Sequence, residues 1–190
     1  MKTAIFGGTF DPIHSAHLVI AREAADAFSL ERVLFIPASN PPLKEAGASY
    51  EDRYRMVELA CAEDPRFVPS RLEEGKQKSY SIHTIERVQA ELELSGELYF
   101  IIGSDAFAEI HRWYRWKDVI RAVDFIVVAR PGHNYTPPAG AHVHPLESVD
   151  LPVSSSGIRH EIARAETPID LPPPVADYIR ARGLYGHLLG

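Results

Sequence analysis

The sequence predicts an α/β protein, an open and mostly parallel sheet with helices on both faces, and three observations carry that prediction. Four short runs, Thr3–Phe6, Arg32–Ile36, Leu98–Ile102 and Phe125–Ala129, are apolar nearly throughout rather than alternating with polar residues, as strands covered on both faces are. Stretches of helical spacing separate them. The chain has 190 residues, 45% hydrophobic and 24% charged, which is the size and composition of one globular domain with a sizeable core. Residues 1–190 are therefore read as a single domain, with 154–190 forming a C-terminal helical element.

The run Thr3–Phe6 is the first strand and stops at Gly7 and Gly8; these glycines and Asp11 also cut the apolar stretch short of a signal-peptide core, so a cytoplasmic protein is expected. Leu18, Ala21, Ala25 and Phe28 then recur at helical spacing. Arg32–Ile36 follows at a distance that lets this helix be a parallel crossover, which predicts a βαβ unit. The stretch PASNPPLKEAGASY, residues 37–50, is a long loop and a candidate for substrate contact. A helix is expected from near Tyr50 to before Pro65, where Met56, Val57, Leu59 and Ala60 give the single cysteine, Cys61, an apolar setting; one cysteine makes no intrachain disulfide. Phe67 and Val68 form a short apolar piece, and Glu73, Glu74, Lys76 and Lys78 read as a solvated charged loop. Ile82, Ile85, Val88 and Leu92 mark an amphipathic helix. Leu98–Ile102 is the clearest central strand; it turns at Gly103-Ser104-Asp105 into a helix over Ala106–Ile110. Phe125–Ala129 ends at Arg130-Pro131-Gly132, and His142–Leu146 is read as a further short strand. Ser154–Ser156 are an N-cap signal before Ile158, Ile162 and Ala165, and a last helix, Val175–Arg182, stops at Gly183.

The net charge of −6 and a pI near 5.8 offer no general footprint for nucleic acid or an anionic membrane, and no apolar run is long enough to span a bilayer. Any phosphate site must be local. The stretch GGTFDPIHSAHL, Gly7–Leu18, supplies one. Two glycines directly after a strand let main chain approach a bulky anion. His14 and His17, three apart at a helix start, fall on one face where free N–H groups and the helix dipole already favour phosphate. The glycine spacing is not that of a dinucleotide fingerprint, there is no GK[ST], and the histidines lack the i, i+4 spacing of a zinc helix. Ser155 and Ser156 offer hydroxyls and N–H groups at a second helix start with Arg159 on the same side, which suits polyphosphate. His133, His142, His144 and His160 lack the spacing and neighbours of a metal cluster.

GGTFDPIH followed by a second histidine resembles the signature of the nucleotidyltransferase superfamily, whose pattern is [HT]-x-G-H, with Ala16 here in place of the glycine. PPLK at Pro41–Lys44 is similar to the PPHK of nicotinate-mononucleotide adenylyltransferases, with Leu43 for histidine. SYSIHT resembles their SYTxDT, keeping Thr84 and carrying His83 where the family has aspartate. Gly103-Ser104-Asp105, Arg130-Pro131-Gly132 and VSSSGIR at Val153–Arg159 match further motifs, so the resemblance covers essentially the whole chain.

The resemblance implies a Rossmann-like nucleotidyltransferase fold and transfer of AMP from ATP to nicotinate mononucleotide, with Mg²⁺ accompanying ATP and no nucleic-acid or membrane partner. His14, His17, Lys44 and Arg159 would be catalytic. Gly7, Gly8, Thr9, Phe10, Gly103, Ser155 and Ser156 would join them in binding ATP. Thr84, Asp105, Trp113, Tyr114 and Arg130 would bind the mononucleotide, Trp113 by stacking on its pyridine ring. Trp116 is read as core. Two alternatives stand beside this reading. A phosphopantetheine adenylyltransferase would share the opening motif without SYSIHT, RPG or the long C-terminal element, and a noncatalytic nucleotide-binding regulator would share the scaffold.

Overall fold

The computed structural model describes residues 1–40, 46–75, 78–91, 96–129, 134–147 and 152–186. Its centre is a sheet of six strands: β1 (Thr3–Gly8), β2 (Arg32–Pro37), β3 (Phe67–Pro69), β4 (Leu98–Gly103), β5 (Asp124–Val128) and β6 (Val143–Leu146). Their order is β3-β2-β1-β4-β5-β6, and every pairing is parallel. The chain thus winds outward from β1 in one direction and, after crossing back, from β4 in the other. The order reverses between β1 and β4, and the crevice beyond their carboxyl ends is where ligands bind in such sheets.

Alternation along each strand divides the core in two. Ala4 and Phe6, Val33 and Phe35, Tyr99 and Ile101, and Ile126 and Val128 face one side. Ile5, Leu34 and Ile36, Phe100 and Ile102, and Phe125 and Val127 face the other. The first side is covered by α1 (Ser15–Phe28), α2 (Tyr50–Cys61), α6 (Ser155–Ala163) and α7 (Pro173–Arg182), through side chains such as Leu18, Met56, Ile158 and Val175. The second is covered by α3 (Ser81–Glu91), the short α4 (Ser104–Ala108) and α5 (Trp116–Ala122), through Ile85, Phe107 and Val119. This is why the strands read as continuous apolar runs: both faces are buried.

The predicted elements are present with shifted ends. The first strand runs on through Gly7 and Gly8, the helix after β4 begins at Ser104 and passes into a 3₁₀ turn at Ile110–Arg112, and the Phe67 piece is a paired edge strand. One helix, α5, carried no expectation; it starts after Arg115, whose φ of 52° is left-handed. Cys61 is buried as expected, and burial pushes its thiol up to about 12. The solvated charged loop needs correction at Glu73. Its carboxylate is folded against α3 and accepts a hydrogen bond from the Thr84 hydroxyl, and burial raises its pKa above the ordinary range. Glu74 and Lys78 are exposed, and Lys76 lies outside the described residues.

The candidate nucleotide site

Gly7 and Gly8 end β1 beside the carboxyl end of β4, so the glycine turn opens at the point where the strand order reverses. A Cβ on Gly8 would stand 3.2 Å from the Phe10 ring, whereas one on Gly7 would meet only Phe100 at 3.9 Å. The turn continues through Phe10, which has a left-handed φ of 48° yet is buried, its ring set edge-on to Phe6 and His17. A bulky residue in that conformation stays there only because its surroundings hold it.

α1 begins directly after the turn. His14 is its N-cap, and the His14 main-chain N–H donates to Nδ1 of His17 at 3.1 Å. Because Nδ1 of His17 accepts, the neutral ring carries its proton on Nε2. The two imidazoles stack at 3.7 Å between centroids. Ala16, the departure from the superfamily pattern, lies inside α1 and is buried, so its methyl adopts helical backbone without strain.

The C-terminal element meets this turn at several points. Ser154 caps α6, accepting from the N–H of Gly157 at 3.1 Å, so the helix begins at Ser155. Ser155 donates its hydroxyl to the Pro12 carbonyl at 2.9 Å, and Arg159 donates to the Asp11 carbonyl at 2.7 Å. Ser156 is exposed beside them. Asp11 itself is 3% exposed; its carboxylate accepts from the N–H groups of Gly47 (2.6 Å) and Ala48 (3.1 Å) and from the Tyr185 hydroxyl (2.7 Å). Burial and this carboxylate hold the Tyr185 phenol far above its ordinary pKa. Lys44 lies outside the described residues; Ser39 and Asn40 precede that segment and Gly47 and Ala48 follow it.

On the second face, Tyr80 just before α3 and His83, Thr84 and Arg87 within it come together with Glu73 and Ser79 around a cavity of about 200 Å³. The Tyr114 ring stands 4.8 Å from Tyr80 and 5.7 Å from His83, while Trp113 sets its indole edge-on to Phe100. Asp105 is in the first turn of α4, immediately after Gly103. Arg130 lies outside the described residues. Thus the structure groups Gly7, Gly8, Thr9, Phe10, His14, His17, Ser155, Ser156 and Arg159 at one turn, puts Gly103 and Asp105 at the end of the neighbouring strand, and gathers Thr84 and Tyr114 about α3. Trp116 packs partly buried against the second core, as expected.

Sequence reasoning missed Asp11, Tyr185 and Arg53. Arg53, in α2, is 1% exposed. The signal for it was available: residues 53, 56, 57 and 60 lie at helical spacing, so a charged side chain stands on an otherwise apolar stripe.

Residues 5–161 match the Cytidylyltransferase-like family. A relative from Solibacter usitatus named "Probable nicotinate-nucleotide adenylyltransferase" is 58% identical over 188 residues, which is 97% of this chain and 100% of that one. The chain belongs to the nicotinate-nucleotide adenylyltransferase family. A Geobacter sulfurreducens relative of the same name is 39% identical over 216 residues, covering 98% of this chain and 99% of its own. The fold is that of the nicotinic acid mononucleotide adenylyltransferase of Plasmodium falciparum solved in complex with NaAD, with a TM-score of 0.84 at 19% identity, over 100% of this chain and 99% of that one. As a nicotinate-nucleotide adenylyltransferase family member it is a nucleotidyltransferase, and its sheet is the Rossmann-like one of that class. Among the described residues no helix is long and apolar enough to cross a membrane, and no three side chains form a group that would hold a metal ion.

Proposed function

We propose that this chain, as an adenylyltransferase of the cytoplasm, joins AMP from ATP to nicotinate mononucleotide, forming deamido-NAD and pyrophosphate. The single observation that carries the assignment of the site is the stacked His14–His17 pair at the glycine turn, with the start of α6 hydrogen-bonded to the same turn. A phosphate oxygen of the mononucleotide attacks the α-phosphorus of ATP, and the bond from that phosphorus to the bridging oxygen of pyrophosphate breaks. The nucleophile is already anionic, so no general base is needed; the protein aligns the reactants and stabilises the negative charge that builds on the phosphates. His17 donates from Nε2, His14 and Lys44 flank the phosphates, and Arg159 with Ser155 and Ser156 receives the departing pyrophosphate. Arg159 would exchange its hydrogen bond to the Asp11 carbonyl for a phosphate oxygen. Residues 154–190 thereby complete the ATP site of a one-domain enzyme.

Mg²⁺ would accompany ATP. The carboxylate at the turn, Asp11, is occupied by two main-chain N–H groups and the Tyr185 hydroxyl, so the residues present suit a metal carried on the nucleotide rather than one resident in the protein. When bound, it neutralises phosphate charge. Thr84, Asp105, Trp113, Tyr114 and Arg130 take the mononucleotide, and the aromatic faces suit a pyridinium cation.

Pyrophosphate release tests this directly, with ATP and Mg²⁺ and with nicotinate mononucleotide, nicotinamide mononucleotide and phosphopantetheine offered in parallel. Release mainly with the first is expected. Release only with phosphopantetheine overturns the acceptor, and silence with all three despite ATP binding leaves a nucleotide-binding regulator.

A further inference from the structure

The guanidinium of Arg53 is buried on α2, and its hydrogen bonds among the described residues go to main-chain carbonyls at the edge of the site. Nη1 donates to Thr9 in the glycine turn at 2.7 Å, Nη2 to Ser39 at 3.5 Å, and Nε to Ala48 at 3.3 Å. Ser39 lies before residues 41–45 and Ala48 after them, so one side chain ties both flanks of that segment to the turn. Asp11, in the same turn, binds the N–H groups of Gly47 and Ala48 from the other direction, and its carboxylate lies 3.7 Å from the Arg159 guanidinium. Ala38 adds a main-chain bond to the Gly8 carbonyl at 2.8 Å. Burying a guanidinium is strongly unfavourable unless its donors are matched. An apolar side chain would fill this place in the stripe formed by Met56, Val57 and Ala60 without that cost. What the arginine adds is a planar fork that reaches three separate loops at once, which a methionine or leucine has no means to do.

We propose that Arg53 is a positioning residue for ATP: it sets where the glycine turn stands relative to the 37–40 and 46–49 segments, and so the geometry in which the turn meets the nucleotide phosphates. Arg53 touches no substrate in this role; it acts through Thr9, Ser39 and Ala48. Tyr185 belongs to the same arrangement, because its hydroxyl donates to the Asp11 carboxylate that also accepts from Gly47 and Ala48. The inference rests on the adenylyl-transfer reading for its choice of ligand, and the shortest of the three bonds, to Thr9, lies in the ATP half of the site. Among the described residues Arg53 bonds no side chain around Thr84 and Tyr114; its longest bond, to Ser39 at 3.5 Å, leads there through the Ser39 N–H, which donates to the Ser79 hydroxyl at 3.0 Å.

The test uses full-length wild type, Arg53→Lys, Arg53→Met and Tyr185→Phe. Three quantities are measured: calorimetric affinity for a non-hydrolysable ATP analogue with Mg²⁺, KM for each substrate from pyrophosphate release, and the thermal melt. Arg53→Lys keeps the charge and loses the fork, and is expected to weaken the analogue and raise KM for ATP about tenfold, with KM for nicotinate mononucleotide within about twofold of wild type. Tyr185→Phe is expected to do the same about threefold. Should Arg53→Met fail to fold, the other two variants decide. ATP affinity equal to wild type in folded Arg53→Lys overturns the proposal. So does a parallel rise of both KM values that tracks the loss of melting temperature, which is what a merely structural role produces. If wild type binds the ATP analogue yet releases no pyrophosphate with nicotinate mononucleotide, the adenylyl-transfer reading fails, while the calorimetric order of the variants still judges Arg53.

Discussion

At the scale of single residues, the site depends on what stands next to what at the glycine turn. His17→Ala removes the Nε2 donor and the ring that faces Phe10, and we expect kcat to fall about 10²–10³-fold with ATP affinity changed less than about tenfold. Rapid-quench turnover beside calorimetric ATP binding separates the two; equal losses in both would make His17 a binding residue only. Gly8→Ala brings a Cβ to 3.2 Å from a Phe10 ring that is packed between Phe6, Phe35 and His17. With no room to retreat, Phe10 must press on His17, so this variant should lose about tenfold in kcat/KM for ATP while Gly7→Ala, whose methyl finds ordinary contact, keeps near wild-type values. Steady-state kinetics on both proteins checks the contrast. The histidines, the glycines and Arg159 were legible because each residue type is rare at such a position without a reason. Asp11 and Tyr185 were not, since their meeting joins residues 174 apart in sequence and no local pattern announces it.

Elements show a similar division. The strands were readable because burial on both faces leaves no polar register to confuse them, and the helices α1, α3 and α7 because one apolar stripe each faces the sheet. α5 was passed over because it is seven residues long and begins beside a left-handed arginine, giving too few turns for a period to emerge. Glu73 misled for a physical reason: a carboxylate in a polar stretch belongs in water unless the chain folds it onto a donor, and the Thr84 hydroxyl that receives it lies in another element. The start of α6 offers a direct test. Ser154→Ala deletes the acceptor for the Gly157 N–H, with an expected cost of about 1 kcal/mol, or about 2–4 °C in Tm for a domain of this size. Thermal melts check it, and because α6 carries Ser155 and Arg159 to the turn, KM for ATP should rise in the same variant.

For the whole molecule, stability against acid has an identifiable source in the corner where α2 hands over to β3. Asp64 accepts from Nε (3.0 Å), Nη2 (2.7 Å) and the main-chain N–H of Arg66, and Arg66 reaches on to Asp26 of α1 at 2.6 Å. The Arg66 side-chain hydrogen bonds, foremost, hold the Asp64 carboxyl below its ordinary pKa. A carboxyl depressed on folding stabilises above its unfolded value, about 3.9, and that contribution is lost as pH falls through the lower folded value. Asp64→Asn should therefore melt about 3 °C lower than wild type at pH 7, with the gap closing below pH 4; a gap independent of pH would assign it to packing instead. The overall architecture was legible because a parallel α/β sheet follows from alternation of elements, whereas the closing contacts between distant segments emerge only when the sheet is wound. One of those contacts bears on synthesis. The Asp11 carboxylate is synthesised 174 residues ahead of the Tyr185 hydroxyl that it accepts from, so a nascent chain that has already folded its first βαβ unit still lacks this bond at its nucleotide turn. A chain halted short of Tyr185 would then hold ATP less firmly than one that has passed it, although its sheet is already wound.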